Sequence, residues 1–427
     1  MNTLINNATI IPMTGEEKIL LGSIAITGNK ITALGDIPKD FKADLVIDAT
    51  GMIAMPGLVN AHTHLSMTYF RNYRDSYANL YDWLQEIWKL EAVLKPADIY
   101  PSSLLGAAEM ILSGTTCFAD MYFFPEGTAQ AAFDAKLKAN IGLTLFGEID
   151  ETKNRINKTL PVLQELSKAP TLRYDIAPHA IYTCSEETLR YAVETVRDRN
   201  CRLHIHASET QKEVTDSLVE HGKTPLAYLD SLGAFTVKNY IAHGVHPTAT
   251  DYELINNQNT TVVHNPSSNC KLASGIAPIK LMADRKVQIA LGTDGASSNN
   301  TLDMFQEIRL AAMLSAVSGG GSGGISPYQL LEMATIGGAR ALGREAECGT
   351  LEIAKDADII LLDTDKAHLT PLNNLYSALV FAATSSDVDT VFCRGQLLMQ
   401  HRVLQTIDIE RTIAETNSAW KHIKNRT

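Results

Sequence analysis

Between Leu58 and Leu291 the sequence alternates between short apolar segments and longer segments with helical spacing, and this alternation restricts the fold more than any other feature. About eight of the apolar segments have the length and composition of β-strands. Strands that alternate with helices form βαβ units, in which neighbouring strands run parallel. About eight such units favour a closed barrel over an open sheet. The pattern therefore predicts an α/β fold, a (β/α)8 TIM barrel.

The two ends of the chain follow a different pattern, in which short strand-like segments alternate with turns. Residues 1–55 contain closely spaced turn signals and no helical period. Strand-like segments return after Cys348, and residues 407–424 have the pattern of a terminal helix. We expect the segments 1–55 and 346–427 to form one small composite β-sandwich domain with a C-terminal helix. Residues 56–345 would then form the barrel domain.

The composition argues against several classes of partner. A hydrophobic content of 45% and a charged content of 20% are typical of a soluble globular protein. The net charge of −11 argues against nucleic acid and anionic membrane surfaces as partners. The six cysteines are scattered without a C-x-x-C pair, which indicates a reduced, intracellular protein. We see no signal peptide and no run that is long and apolar enough to span a bilayer, and we expect a cytoplasmic protein.

Residues that bind metals or transfer protons recur where the predicted barrel strands end. They are His62, His64, His179, His206, His243, His264 and Asp294. The carboxyl ends of the strands in a parallel barrel meet at one rim, where the active sites of such barrels lie. Any single histidine of this set would be explained as a structural residue with satisfied hydrogen bonds. Core packing does not explain their repetition at one rim, so we infer a shared site.

His62 and His64 are alternate residues of an extended strand, so their side chains point to the same side. Neutral imidazole is the commonest protein ligand of zinc and similar metals. His206 ends another strand, and Glu209 follows it closely. A ligand histidine beside a carboxylate suits metal-assisted hydrolysis, in which the metal lowers the pKa of water and the carboxylate moves the proton. Asp294, in a Gly-Thr-Asp-Gly motif, would add an oxygen ligand.

Each of these residues also has a structural explanation. The H-x-H pair would then lie in a hydrated loop, and Glu209 would stabilise the N-terminus of a helix. Asp294 would belong to an Asp-Gly turn. His204 shares the strand face of His206, and we interpret it as a residue that supports a ligand or packs inside the barrel.

Five motifs stand out along the chain. They are residues 56–64 (PGLVNAHTH), the H-x-x-E of His206 and Glu209, His243, residues 264–269 (HNPSSN) and residues 292–295 (GTDG). Together they resemble the amidohydrolase superfamily, and within it the sequence is similar to the 5-methylthioadenosine/S-adenosylhomocysteine deaminases. The similarity extends from about Leu45 to Asp363 and includes a Gly-Thr-Leu-Glu motif at residues 349–352.

The resemblance implies a distorted barrel with a composite β-sandwich and one divalent metal per subunit. The metal ligands would be His62, His64, His206 and Asp294. His243 would contact the attacking water or the substrate, Glu209 would carry a proton to the purine ring nitrogen, and Asp294 would help to deprotonate the water. Three histidines and one aspartate suit Zn2+, with iron and manganese as alternatives. We find no strand-end lysine between Cys117 and Phe146 that would bridge two metals, which supports a mononuclear site.

The resemblance also implies substrate contacts. Glu91 matches a position that binds the ribose hydroxyls, and Trp83 would lie beside the sugar or the thioether. Two carboxylate oxygens suit a vicinal diol, although a glutamate on a helix surface is the default interpretation. His179 matches a histidine near the purine, and Arg155 matches an arginine near the sugar or the amino-acid tail. The other candidates for a carboxylate contact are Arg71 and Arg74.

The resulting hypothesis is a metal-dependent deaminase that acts on the adenine ring of 5'-methylthioadenosine or S-adenosylhomocysteine, with adenosine as a further candidate. The products would be the inosine derivative and ammonia, and the enzyme would be a homo-oligomer. The alternative within the same class is an aminohydrolase for guanine, a pterin or a triazine. The alternative of another class is a non-catalytic metal-binding barrel that serves in assembly, against which the presence of both Glu209 and Asp294 counts.

Overall fold

The computed structural model describes residues 1–73, 75–76, 79–319 and 323–426, which form an eight-stranded and a nine-stranded sheet with helices around them. The strands are β1 (Asn2–Ile10), β2 (Leu20–Thr27), β3 (Lys30–Gly35), β4 (Leu45–Asp48), β5 (Met52–Pro56), β6 (Leu58–Thr63), β7 (Thr115–Tyr122), β8 (Lys138–Leu145), β9 (Leu172–Pro178), β10 (Leu203–Ala207), β11 (Asn239–His243), β12 (Thr260–His264), β13 (Gln288–Leu291), β14 (Ile359–Asp363), β15 (Val388–Cys393), β16 (Gln396–Gln400) and β17 (Val403–Leu404).

The α-helices alternate with the barrel strands and continue into the C-terminal part of the chain. They are α1 (Leu80–Glu91), α2 (Pro96–Leu112), α3 (Pro125–Ala135), α4 (Ile149–Leu166), α5 (Glu186–Arg199), α6 (Gln211–His221), α7 (Pro225–Ser231), α8 (Asp251–Ile255), α9 (Pro266–Lys271), α10 (Ile279–Asp284), α11 (Met304–Ser318), α12 (Pro327–Glu332), α13 (Gly338–Ala341), α14 (Leu375–Ser377) and α15 (Ile409–Lys424). In the described parts of the chain, no helix is both long enough and apolar enough to cross a membrane.

Strands β6 to β13 form the eight-stranded sheet, in which each strand pairs in parallel with the next one along the chain. Every residue of β6, β7 and β8 is buried, as expected where helices cover the outside of a sheet and side chains fill its inside. The first and last strands also meet, because the amide of Asp294 donates to the carbonyl of His62 at 3.0 Å. The predicted distorted barrel is confirmed.

The seam between β6 and β13 requires a glycine. A Cβ atom on Gly292 would lie 2.9 Å from the backbone nitrogen and oxygen of His62 and 2.5 Å from Oδ1 of Asn265. Only a residue without a side chain lets the two strand ends come this close. The Gly-Thr-Asp-Gly motif therefore has a structural role at the seam as well as a possible chemical one.

The nine-stranded sheet combines both ends of the chain. Its strands lie in the order β17-β16-β15-β14-β5-β1-β2-β3, and β4 pairs with β1. Strand β5 pairs antiparallel with β14, so that Met52 lies opposite Asp363 and Pro56 lies opposite Ile359. The expected β-sandwich built from both ends of the chain is confirmed as this mixed sheet, and β5 leads directly into the first barrel strand.

A buried ion cluster joins the barrel to the mixed sheet. Lys138, at the start of β8, is fully buried, and its Nζ lies 2.5 Å from Oδ2 of Asp358 and 2.9 Å from Oδ2 of Asp356. Asp356 also pairs with Lys30 at 2.8 Å and with Arg394 at 3.1 Å. Burial alone would lower the pKa of Lys138, but the nearby carboxylates raise it, and Asp358 contributes most. The ammonium group is therefore charged and held by charges from the other sheet.

Two helices differ from the boundaries that apolar spacing predicts. The spacing predicts a helix over residues 129–139, but α3 ends at Ala135 because Lys136 adopts a left-handed conformation with φ 64°. Strand β8 then begins at Lys138, whose ion pairs involve distant residues that a local pattern does not reveal. The spacing also predicts a loop over residues 150–157, but α4 begins earlier and includes them.

The C-terminal helix α15 lies against the barrel helix α2. Arg426, just beyond α15, pairs with Asp98 in the first turn of α2 at 2.6 Å. The ring of Trp420 packs against the rings of Tyr69 and Phe70, with centroids 6.1 and 5.8 Å away. This helix therefore supports the segment that leads from the first barrel strand towards α1.

We expect Lys138→Ala to lower the free energy of unfolding by about 3–5 kcal/mol, because the substitution leaves the buried carboxylate of Asp358 without its counter-charge and removes one of the three cations that pair with Asp356. Chemical denaturation measures this change. The matched control is Lys168→Ala. Lys168 is 73% exposed and pairs with Glu165 on the protein surface, at the C-terminal end of α4. We expect the control to change the free energy by less than about 1 kcal/mol. Equal, small changes in both variants would contradict a stabilising role of the buried cluster.

Candidate active site

A cavity of about 620 Å³, including its open mouth, lies at the carboxyl ends of the barrel strands. Its inner end is lined by His64, His206, Glu209, His243 and Asp294. Trp83, Glu91 and His179 line its walls, and His62 lies directly beneath its inner end. The barrel thus brings together nine of the ten residues that the sequence analysis assigned to a site, and Arg155 is the exception.

Four donor atoms converge at the inner end of the cavity. Oδ1 of Asp294 lies 3.4 Å from Nε2 of His62 and 3.2 Å from Nε2 of His64, and the Nε2 atoms of His64 and His206 are 3.3 Å apart. Ligands at about 2.0–2.1 Å from a tetrahedral metal lie about 3.3–3.4 Å from one another, which agrees with these separations. Nε2 of His62 is buried and has no hydrogen-bond partner among the described residues. His62, His64 and Asp294 therefore form a group that fits one divalent cation, and His206 adjoins this group through His64.

Hydrogen bonds on the far side of two rings decide which nitrogen faces the centre. Nδ1 of His206 donates to the carbonyl of His179 at 2.8 Å, and Nδ1 of His64 donates to the carbonyl of Met121. A carbonyl oxygen only accepts hydrogen bonds, so both rings carry a proton on Nδ1 and face the centre with Nε2. Partners of this kind orient metal-binding histidines in proteins.

His62 is held from behind by a third histidine. Nε2 of His204 lies 2.8 Å from Nδ1 of His62, in agreement with the interpretation of His204 as a residue that supports a ligand. Burial lowers the pKa of His62 to about 4 and holds that of His206 well below its usual range. Both rings are therefore neutral near pH 7, which is the form of imidazole that binds metals.

Asp294 follows β13 in a left-handed conformation with φ 59°. Its Oδ2 accepts hydrogen bonds from Ser268 at 2.6 Å and from Ser298 at 2.9 Å. Burial alone would raise the pKa of Asp294, but its close contacts with the rings of His62 and His64 hold it well below its usual range. The carboxylate is therefore ionised, and both of its oxygens have fixed partners.

Glu209 and His243 face the centre from the ends of β10 and β11. Oε2 of Glu209 lies 3.8 Å from Nε2 of His243, and Oε1 of Glu209 accepts a hydrogen bond from Ser274 at 3.2 Å. Nδ1 of His243 donates to Oδ1 of Asn269 at 2.8 Å, which leaves Nε2 facing the cavity. Burial raises the pKa of Glu209 above its usual value, which brings it closer to that of a group that exchanges protons near pH 7.

The turn that carries Glu209 is fixed by a second glutamate. Glu213, in the first turn of α6, accepts hydrogen bonds from the amides of Ser208 at 3.0 Å and of Glu209 at 2.7 Å. Ser208 has a left-handed conformation with φ 52°. The structural explanation for Glu209 was that it stabilises the N-terminus of this helix, but Glu213 occupies that position instead. The side chain of Glu209 lies in the cavity.

Trp83 and Glu91 lie on the cavity side of α1. Oε1 of Glu91 accepts a hydrogen bond from the hydroxyl of Tyr122 at 2.8 Å, and burial raises the pKa of Glu91 to about 7. The side chain of Trp83 is buried, and its Nε1 has no hydrogen-bond partner in the described parts of the chain. One carboxylate oxygen and one indole N–H on this helix are thus available to a ligand.

His179 forms part of the opposite wall. Its Nδ1 lies 3.0 Å from Oγ1 of Thr183, and its ring packs between the rings of Phe146 and His206, with centroids 5.0 and 4.8 Å away. Burial lowers the pKa of His179 to about 3, so the ring is neutral. A neutral imidazole in this position offers one donor and one acceptor to a heterocycle.

Several other candidate residues lie outside the cavity lining. Arg155, on α4, lies behind the wall and donates to a backbone carbonyl, so its role in substrate binding stays a prediction. His264 ends β12 and is buried, and neither of its ring nitrogens has a hydrogen-bond partner among the described residues. Arg71 pairs with Glu109. Arg74 lies outside the described residues.

The sequence analysis missed the residues that hold these functional groups in place. They are Tyr122, Glu213, Ser268, Asn269, Ser274 and Ser298. Two of them, Ser268 and Asn269, belong to the 264–269 motif, and this motif was the sequence signal from which they could have been found. The others come from a strand end (Tyr122), a helix (Glu213) and two connections (Ser274 and Ser298), and a single sequence does not show which polar residues of such distant segments meet.

Comparison with known proteins agrees with this geometry. The model of the amidohydrolase family matches residues 53–398. The 5-methylthioadenosine/S-adenosylhomocysteine deaminase of Thermoanaerobacter pseudethanolicus is 42% identical over 435 residues and covers 100% of both chains. The 5'-deoxyadenosine deaminase of Methanosarcina acetivorans is 40% identical, over 99% of this chain and 98% of its own. An adenosine deaminase from Xanthomonas campestris with bound zinc superposes with a TM-score of 0.93 at 31% identity, over 99% and 98% of the two chains.

We expect the purified protein to bind one divalent cation per chain and Asp294→Ala to retain less than about a tenth of it after dialysis, because the substitution removes one of four ligands. Elemental analysis of the dialysed proteins measures this, and Co2+ titration followed by absorbance reports the ligand geometry independently. The matched control is His368→Ala, since His368 lies outside the barrel and pairs with Asp387 at 2.9 Å. Full cation content in Asp294→Ala would contradict the assignment of this carboxylate as a ligand.

Proposed function

The chain belongs to the amidohydrolase family, and we propose that it hydrolyses the 6-amino group of the adenine ring in a purine nucleoside, giving the inosine derivative and ammonia. The family match and the deaminase relatives confirm the resemblance that the motifs indicated. The proposed substrates are 5'-methylthioadenosine and S-adenosylhomocysteine, with adenosine and 5'-deoxyadenosine as further candidates. The observation that carries the proposal is the position of Glu209 and His243 beside the four donor atoms, in a cavity whose outer wall carries Glu91.

The alternatives are not favoured. Guanine, a pterin or a triazine has no ribose, so none of them would use a carboxylate at the position of Glu91. A non-catalytic barrel that serves in assembly would not need Glu209, whose carboxylate lies in the cavity with the free hydrogen-bonding capacity of a proton carrier. The predicted cytoplasmic location and homo-oligomeric state remain predictions.

We propose Zn2+ as the cation, one per subunit, with His62, His64, His206 and Asp294 as its ligands. Three imidazoles and one carboxylate suit zinc, and the zinc-bound adenosine deaminase from Xanthomonas campestris supports this choice. When bound, such a cation acts as a Lewis acid that lowers the pKa of water towards neutrality.

The residues of the chain then move protons around the reacting carbon. Water attacks C6 of the adenine ring, and Glu209 carries a proton to the ring nitrogen N1, so that the ring loses its aromatic character. Asp294, which is ionised, accepts the remaining proton of the attacking oxygen. Asp294 then passes this proton to the 6-amino group, which leaves C6 as ammonia, and the ring becomes hypoxanthine. Nε2 of His243 faces the attacked carbon and orients the oxygen.

The nucleoside would be held by both walls of the cavity. His179 would donate to or accept from the purine, and its packing against Phe146 fixes the plane of its ring. Glu91 would accept hydrogen bonds from the two ribose hydroxyls. Tyr122 holds one oxygen of Glu91 and so fixes the direction of the carboxylate.

We expect Glu209→Gln to lower kcat for the deamination of 5'-methylthioadenosine by about 10²–10⁴-fold with unchanged cation content, because the amide cannot transfer the proton. The assay offers 5'-methylthioadenosine, S-adenosylhomocysteine, adenosine and guanine in parallel, and follows ammonia and the ultraviolet change from adenine to hypoxanthine. The matched control is Glu220→Gln on the surface of α6, which we expect to be fully active. Turnover of guanine alone would contradict the proposed substrate, and an active Glu209→Gln would contradict the role of that carboxylate.

We expect kcat/KM for nucleosides to rise with pH as Glu91 loses its proton, because only the carboxylate accepts hydrogen bonds from both ribose hydroxyls. Burial raises the pKa of Glu91 to about 7, and the hydrogen bond from Tyr122 lowers it. Tyr122→Phe should therefore move this rise to higher pH, and Glu91→Gln should abolish it. The matched control is Tyr100→Phe, since Tyr100 donates to Asp134 outside the cavity. The same midpoint in wild type and Tyr122→Phe would contradict the assignment of this titration to Glu91.

A further inference from the structure

The outer part of the cavity is apolar on the side of α1. Leu80, Trp83, Leu84, Ile87 and Trp88 line it at intervals of three and one residues, so that one face of the helix forms the wall. These residues precede Glu91 on the same helix, so the wall that carries the proposed ribose contact also carries this apolar face. A substituent on the 5' carbon of a nucleoside held by Glu91 would lie along this face.

Apart from its histidines, the described part of the cavity lining carries charged side chains of one sign. Among the described residues, no lysine or arginine lines the cavity, whereas Glu91, Glu209 and Asp294 do. Nε1 of Trp83 is the one buried, unpartnered donor that the described part of the α1 face offers. A thioether sulphur or a ring oxygen accepts a hydrogen bond from such a group, but an α-carboxylate would need a cation or several donors.

Among the described residues, Arg155 lies behind the cavity wall and is separated from the cavity by an aromatic ring. The guanidinium of Arg155 lies 5.7 Å from the ring centroid of Phe146, and its Nη1 donates to the carbonyl of Thr144 at 3.3 Å. Phe146 lines the cavity and Arg155 does not. The ring of Phe146 is held in turn by Phe123, with centroids 5.3 Å apart and nearly parallel planes. Phe146 therefore separates the guanidinium of Arg155 from a ligand in the cavity.

We propose that this cavity selects nucleosides with an uncharged, apolar 5' substituent and discriminates against a zwitterionic amino-acid tail, with Phe146 as the residue that withholds Arg155 from the tail. The proposal rests on the proposed deamination and deepens it. A methylthio or methyl group buries its apolar surface against α1, whereas the carboxylate of a homocysteine tail loses water without gaining a counter-charge. Within the set of substrates proposed above, this selectivity ranks 5'-methylthioadenosine and 5'-deoxyadenosine first and S-adenosylhomocysteine below them.

The first test separates the charge of the 5' substituent from its size. The zinc-loaded wild-type enzyme is offered 5'-methylthioadenosine, 5'-deoxyadenosine, 5'-deoxy-5'-(phenylthio)adenosine and S-adenosylhomocysteine. The phenylthio compound has a long arm without charge. We expect kcat/KM for it to stay within about tenfold of that for 5'-methylthioadenosine, and kcat/KM for S-adenosylhomocysteine to be at least about tenfold lower than for the phenylthio compound. Equal values for the charged and uncharged long arms would overturn the proposal.

The second test addresses the separation of Arg155 from the cavity. We expect Phe146→Ala to raise the ratio of kcat/KM for S-adenosylhomocysteine to that for 5'-methylthioadenosine by at least about fivefold, because the guanidinium then reaches the carboxylate. Adding Arg155→Gln to this variant should return the ratio to the wild-type value. The matched control is Phe133→Ala on the outer face of α3, where Phe133 is 41% exposed, and we expect no change in the ratio.

The outcomes distinguish this proposal from the function on which it rests. If Phe146→Ala leaves the ratio unchanged while it still deaminates 5'-methylthioadenosine, Phe146 is not the residue that excludes Arg155. If the ratio stays raised in the double variant with Arg155→Gln, the space left by the smaller side chain at position 146 caused the increase and the guanidinium did not. That result would also contradict the role proposed for Phe146. Absence of ammonia from every nucleoside, with the cation bound, would instead overturn the proposed deamination.

Discussion

The contact between the first and the last barrel strand is the constraint on which the site depends. Thr63 and Asp294 are 231 residues apart in the sequence, yet Oγ1 of Thr63 donates to the carbonyl of Asp294 at 3.0 Å. Two imidazoles stand on one side of this seam and the carboxylate stands on the other. The four donor atoms therefore come within range of one cation only when the barrel closes. The mixed sheet contributes to this closure, because β5 is one of its strands and continues through Gly57 into β6.

The environments of two carboxylates give them different chemical roles. Asp294 is held by two serine hydroxyls and by its contacts with two imidazoles, so that its pKa lies well below the usual range in spite of burial. Glu209 is equally buried, but its partners are one hydroxyl at 3.2 Å and one imidazole at 3.8 Å, and burial raises its pKa. The strongly held group is ionised when the reaction begins and can act as a base, whereas the weakly held group can carry a proton to the ring. This division between an ionised carboxylate and a proton carrier is a recurrent way to run acid and base chemistry in one site.

The sequence predicted the features of this protein that repeat or that lie close together along the chain. Eight strands with helices between them repeat at regular intervals, and His62 and His64 share a strand, so a local pattern was sufficient for both. Lys138 is different, because its burial depends on two carboxylates more than two hundred residues away. The position of Arg155 was also not predictable, since the pattern gave a loop where α4 continues. Glu213 was overlooked because its partners are backbone amides, which leave no signature in the side-chain pattern.

Reaction and selectivity are carried by different parts of the fold. The groups that act on the ring lie at strand ends, where neighbouring strands fix them through the barrel ladder. The wall that meets the rest of the nucleoside is built from α1 and from the connection between β8 and α4. Both segments lie outside the hydrogen-bonded sheet of the barrel. Trp420 on the C-terminal helix packs against Tyr69 and Phe70, and in this way a separate element supports the approach to α1. Substitutions in that wall can change which 5' substituent fits while the donor atoms keep their separations. Because Phe146 and Arg155 both belong to this part, a single substitution there can alter the charge that a substrate meets without altering the chemistry at C6.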